Sequence, residues 1–196
     1  MRETRFPIRR VVLIGVFAAL VFALSWLSIP IPLAIGENTR IHFGNIMCLL
    51  AGVLFGPLTG GLSAGIGSML FDFAHPEYAS EFWITFITKF AMGFVAGALA
   101  QHLPKKLPVF PRQLTGAIAG QATYIVLYMA KTFLQQRYMY KIPLELVWPI
   151  MLGKLIASAT NGLIAVVGCM VLAPVLKAAL DKAGLFKAIG PRRPAG

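Results

Sequence analysis

The sequence predicts an all-α membrane protein, a compact bundle of six transmembrane helices with both termini on the cytoplasmic side. Three observations predict it. Of 196 residues, 58% are hydrophobic and only 13% charged, and mean hydropathy is +0.75; a water-soluble domain of this size does not hide that much apolar surface. Apolar runs approaching the roughly 20 residues that a span needs recur with short breaks. Twelve of the 18 Lys and Arg fall in Met1–Arg10, Gln101–Gln113 and Pro174–Gly196, alternate ends of the proposed helices, which is the positive-inside pattern. The opposite loops carry only Arg40, Arg137 and Lys141, and Asp72–Glu81 carries only acids. The net charge of +11 therefore reads as membrane orientation, and no nucleic-acid partner is expected. One domain covers residues 1–196, with 1–10 as a cytoplasmic N-terminus and 174–196 as a cytoplasmic tail.

The first helix is Val11–Ile29. With the basic segment before it, this run resembles a signal peptide, but it is long for one and Ser28-Ile29-Pro30 is a poor cleavage site. Pro30-Ile31-Pro32 stops it, and an outer loop, Pro30–His42, carries Glu37, Asn38, Arg40 and His42. The second helix, Phe43–Phe55, is short for a span; Gly56-Pro57 turns the chain and Gly60–Phe73 climbs back. The fourth helix is Phe82–Gln101, the fifth Leu114–Leu134 and the sixth Trp148–Leu172, with Pro104 and Pro108 in the cytoplasmic loop and Pro143 in the last outer loop. The tail Pro174–Ile189 reads as a short amphipathic helix on the inner membrane surface, with Lys177, Asp181, Lys182 and Lys187 facing water. Cys48 and Cys169 fall near opposite membrane faces, so no disulfide and no metal site is expected.

Polar residues recur at helical spacing. Gln121, Tyr124, Tyr128, Lys131 and Gln135 share one face of the fifth helix; Lys154, Ser158 and Asn161 share one face of the sixth. Thr85 and Lys89 align on the fourth, and Gly60, Ala64, Ser68 and Asp72 on the third. Such stripes face the bundle interior, because in lipid their polar groups lack partners. Single hydroxyls and amides there are explained as well by interhelical hydrogen bonds. The glycines Gly52, Gly56, Gly60, Gly61, Gly65 and Gly67 suit plain tight packing or a backbone surface cleared for a ligand.

Lys89, Lys131 and Lys154 carry the functional expectation. An intramembrane cation is costly and points to a site, and three of them with one aspartate, Asp72, cannot all pair. A bound anion would supply the missing counter-charge. Lys131 has the alternative of snorkelling to the outer interface. Arg40, with His42 and Asn45 close by, either anchors at the interface or folds over the pocket mouth. Tyr124, Tyr128 and Asn161 supply an aromatic wall and neutral hydrogen bonds. Trp26, Trp83 and Trp148 suit an aromatic belt, although Trp83 and Trp148 also suit stacking on a flat ligand. On the first helix, Gly15, Ala19 and Ala23 form a small-xxx-small pattern for close helix contact, one that arises easily by chance in an Ala-rich helix.

Walker, Gly-x-Ser-x-Gly and His-Glu-x-x-His motifs are absent, and no nucleophile and base fall at one depth. No second half mirrors the first, as in many secondary transporters. No cofactor is expected. An intramembrane enzyme or a structural cell-envelope protein are the rival readings; the first calls for a nucleophile with a base at one depth, and the second does not call for cations in an outward pocket.

The Gly15/Ala19/Ala23 helix, the stretch Arg40-Ile41-His42-Phe43-Gly44-Asn45-Ile46, the turn Leu54-Phe55-Gly56-Pro57-Leu58-Thr59-Gly60-Gly61 with its Gly-rich helix ending at Asp72, and Lys89-Phe90 together resemble the substrate-binding S-components of energy-coupling-factor (ECF) vitamin transporters, nearest the riboflavin-type branch. The resemblance spans Arg9 to about Leu172. It implies six short helices holding one vitamin-like molecule near the outer face of a bacterial-type plasma membrane. It also implies a transmembrane coupling subunit docked on the first three helices, with Gly15, Ala19 and Ala23 as the docking face, and two ATPase subunits driving import. Where the riboflavin-binding subgroup usually has an acidic or Ser-Asp element, this chain has His42-Phe43-Gly44-Asn45. A small anionic or polar substrate, for example pantothenate-like, is the expectation, with riboflavin or another vitamin as alternatives.

Overall fold

A computed structural model describes residues 8–32, 38–104, 106–182 and 184. Among them are six α-helices: α1 Ile8–Trp26, α2 Gly44–Phe55, α3 Pro57–Ala74, α4 Phe82–His102, α5 Val109–Leu134 and α6 Leu144–Lys182. Part of the expected outer loop is instead an antiparallel hairpin, β1 Ser28–Pro32 against β2 Asn38–His42, with Pro30 opposite Arg40. Glu37 lies outside the described residues. Proline fits here because the two strands form a sheet of their own, so each is an edge strand.

The shortest helix lies at the centre. At 12 residues, α2 is about 18 Å long, well short of a bilayer core of about 30 Å. Its neighbours enclose it: Cys48, Leu49, Leu50 and Ala51 have no exposed surface and pack with Phe17 and Val21 of α1, Met92 and Ala96 of α4, Ala117 of α5 and Cys169 of α6. Both cysteines are free and buried.

Glycine makes the close approach of α2, α3 and α4 feasible. A Cβ on Gly60 would fall 2.2 Å from the Gly52 Cα, and one on Gly93 would fall 2.4 Å from the Gly60 carbonyl oxygen. Tight packing therefore accounts for these positions. Gly56, at φ +91°, makes the turn between α2 and α3, with the Gln101 side chain against it.

Among the described residues the expected tail is not a separate helix, and its end with Lys187 lies outside them. α6 continues for 39 residues, past Pro174, to Lys182. A proline interrupts a helix less where neighbouring packing holds the backbone, and Ala173 beside it is fully buried. The outer face of α6, including Leu163, Val167 and Val171, is exposed and apolar, as a lipid-facing surface requires.

Candidate functional site

The C-terminal ends of α1, α3 and α5 and the N-terminal halves of α2, α4 and α6 surround a cavity of about 400 Å3 at the hairpin end of the bundle. Arg40, His42, Asn45, Asp72, Lys89, Tyr124, Tyr128, Lys131, Lys154 and Asn161 all border it. The stripes on four helices converge because each polar face is the face turned from lipid.

Lys89 is the buried cation of this cavity, at 4% exposure. Its ammonium donates to Asn45 Oδ1 and lies 3.8 Å from the centre of the Tyr124 ring. Both partners are neutral, and among the described residues no carboxylate lies within ion-pair distance of it. Asn45 is fully buried, and its Nδ2, like His42 Nδ1, has no hydrogen-bond partner among the described residues. Tyr124 and Tyr128 stack, with centres 5.8 Å apart and planes 21° from parallel. One side of the cavity thus carries a held ammonium and an aromatic wall, and the Asn45 Nδ2 and His42 Nδ1 beside it are enclosed in protein.

The acids are arranged differently from the sequence expectation. Lys131 neither snorkels nor pairs with Asp72; it forms an ion pair with Glu81, which also accepts from Gln135 Nε2. Asp72 has no ion pair among the described residues. Glu77 also borders the cavity. Among the described residues the lining therefore holds Arg40, Lys89, Lys131 and Lys154 against Asp72, Glu77 and Glu81, not three cations against one acid. Glu77 and Glu81 precede α4 by a few residues, outside the apolar runs, where spacing gives no reason to turn them inward.

Asn161 serves the hairpin. Its Oδ1 accepts from the His42 backbone N–H at 3.0 Å and its Nδ2 donates to the Arg40 carbonyl at 2.6 Å. Both ends of the amide are thereby engaged, and its role is to position the segment above the cavity. The Arg40 guanidinium lies over the Tyr78 ring at 4.4 Å and the Phe71 ring at 5.5 Å. Burial, with the nearby Lys89 and Arg40 charges, lowers the His42 pKa to about 3, so the ring is neutral at physiological pH. Burial also raises the Tyr78 pKa, so its phenol stays protonated as a donor.

Trp83 does not line the cavity. It lies two residues from Thr85, roughly opposite the inward Thr85–Lys89 face, and is 54% exposed. Trp148 is exposed as well, and both match a lipid-interface position instead of ligand stacking. Gly15, Ala19 and Ala23 form an exposed strip on α1; a Cβ at Gly15 would meet nothing within 4 Å. Among the described residues no cluster of metal-binding side chains occurs.

The profile of the ECF-type riboflavin transporter S component family matches residues 5–178. The chain belongs to this family. A UPF0397 protein of Streptococcus gordonii is 30% identical over 173 residues, covering 87% of this chain and 89% of the relative. An uncharacterised protein of Pyrococcus woesei is 33% identical over 106 residues, 54% of this chain and 65% of that one. The solved structure of the S component of a bacterial ECF transporter shares the fold, with a TM-score of 0.57 at 18% identity over 89% of this chain and 96% of the other. As an S component, the chain is a multi-pass membrane protein that serves as a substrate-binding subunit of a transporter and is not an enzyme. S components work with a transmembrane coupling component and ATPases.

Proposed function

We propose that this S component captures a small vitamin or related micronutrient bearing an acid group at the outer face, for ATP-driven import with a transmembrane coupling subunit and two ATPase subunits. The observation that carries the reading is Lys89: a buried ammonium held by neutral groups alone, beside an unpartnered Asn45 Nδ2. A buried cation without a counter-charge is costly, and an incoming carboxylate or comparable anion offsets that cost. Riboflavin, for which the family is named, is uncharged at neutral pH and brings no counter-charge. A pantothenate-like acid does, and its hydroxyl and amide donors have Asp72 and Glu77 as acceptors.

The substrate's planar or apolar part belongs against Tyr124 and Tyr128. Gly15, Ala19 and Ala23 form the docking strip for the coupling subunit, because small side chains allow helices to approach and slide. The excess of basic residues near the two termini supports a cytoplasmic position for both. The reading is tested by purifying the protein in mild detergent and identifying by mass spectrometry the compound it retains. An acid is expected; a compound with only cationic charge overturns the proposal.

A further inference from the structure

We propose that a second cavity, at the end of the bundle opposite the first, binds the phosphate group of an anionic lipid of the cytoplasmic leaflet. This cavity, of about 270 Å3, opens between the C-terminal ends of α2 and α4, the start of α5 and the end of α6. Its walls divide by chemistry. Leu54 and Val109 are apolar, Gln101 and Gln113 are amides, and Arg112 and Lys177 are cations; among the described residues no acid borders it.

Among the described residues, neither cation is neutralised by a carboxylate. Arg112 Nη2 donates to the carbonyls of Ala100 at 2.8 Å and Gln101 at 3.3 Å, so its guanidinium is fixed in place at the end of α4. Among the described residues no carboxylate lies within ion-pair distance of Arg112 or Lys177, and Asp181, one turn after Lys177, makes no such pair.

A pre-positioned guanidinium, a second cation and amide donors suit a phosphate diester. The apolar wall suits the glycerol and first acyl carbons behind it, and basic pockets between helices on the cytoplasmic side are a recurrent form of lipid headgroup site. The position supports a structural role. A lipid there bridges the start of α5 to the end of α6, beside the Gly56 turn that Gln101 packs against.

The test uses the purified full chain in mild detergent, titrated with dioctanoyl phosphatidylglycerol, dioctanoyl phosphatidylcholine or inorganic phosphate, with the thermal unfolding midpoint and native mass spectrometry as readouts. Phosphatidylglycerol should raise the midpoint saturably and remain bound in the spectrum, while phosphatidylcholine does neither. Lys177→Gln, at an exposed position, should weaken phosphatidylglycerol binding about fivefold, the contribution of one basic residue near an anionic surface. Lys182→Gln, outside the cavity, should leave it unchanged. Equal binding of both lipids, or equal losses in the two variants, would overturn the site. An equal shift with inorganic phosphate would overturn the lipid assignment and leave a soluble phosphate as occupant.

Discussion

Asn161 of α6 holds Arg40 of β2 in place: its amide donates to the Arg40 carbonyl at 2.6 Å while accepting from the next N–H but one, that of His42, at 3.0 Å. A single side chain thus ties the hairpin over the cavity to the longest helix. Replacing it by Leu leaves one N–H and one carbonyl without partners at a half-buried position, which costs about 1–3 kcal/mol for each group left unsatisfied. The expected outcome is a lower thermal midpoint, and faster loss of retained substrate through a loosened hairpin, measured by release kinetics. Unchanged release would mean that the hairpin does not restrain the substrate.

Lys89→Met keeps the apolar stem and removes the ammonium. If the ammonium meets an acid on the substrate, affinity for the retained compound should fall by about 2–5 kcal/mol, the usual loss on truncating a buried charge pair. Stability without substrate should hold or rise, because the variant no longer buries a cation among neutral groups. Calorimetry on wild type and variant checks both. A well-folded variant with unchanged affinity defeats the assignment.

His42 predicts the direction of acid sensitivity. Its folded pKa of about 3 lies below the ordinary 6.5, so between these values the unfolded chain binds more protons at this site than the folded one. The stabilisation is complete above about pH 6.5 and is lost as pH falls toward 3, by up to about 1.4 kcal/mol per pH unit. His42→Gln, which does not titrate, should flatten this part of the curve; thermal midpoints from pH 7 to 4.5 measure it. A parallel decline in both proteins would place the acid sensitivity elsewhere.

Ala19→Trp together with Ala23→Trp should abolish uptake in cells that supply the coupling subunits, while the isolated protein keeps its affinity. Both positions are exposed on α1, so bulk there obstructs a partner and not the bundle. Equal loss of uptake and of binding would show that the strip serves this chain's own packing.

Gly93→Ala tests the packing of α3 on α4. The added methyl would lie 2.4 Å from the Gly60 carbonyl oxygen, and because the contact is backbone on a helix, it cannot rotate away. A loss of about 1–3 kcal/mol is expected from such overpacking, read as a lowered thermal midpoint.

Much of this protein is written along the chain. Long apolar runs and the proline and glycine breaks determine six helices, because lipid requires each helix to satisfy its own backbone. The polar stripes that contain Lys89, Lys131 and Lys154 locate the cavity for the same reason: in a helix, spacing in sequence is direction in space. Only the tertiary structure decided how the charges divide. Glu81 precedes α4 by one residue, and its turn toward Lys131 depends on where α5 ends. Asn161 looks from its spacing like another group facing the ligand, yet the hairpin, built from two five-residue strands, one with two prolines, that do not announce themselves, takes both ends of its amide. Periodicity is a local property that fixes which face a residue occupies. Which partner it meets there depends on the placement of distant segments, and that is set by the packing of the whole bundle.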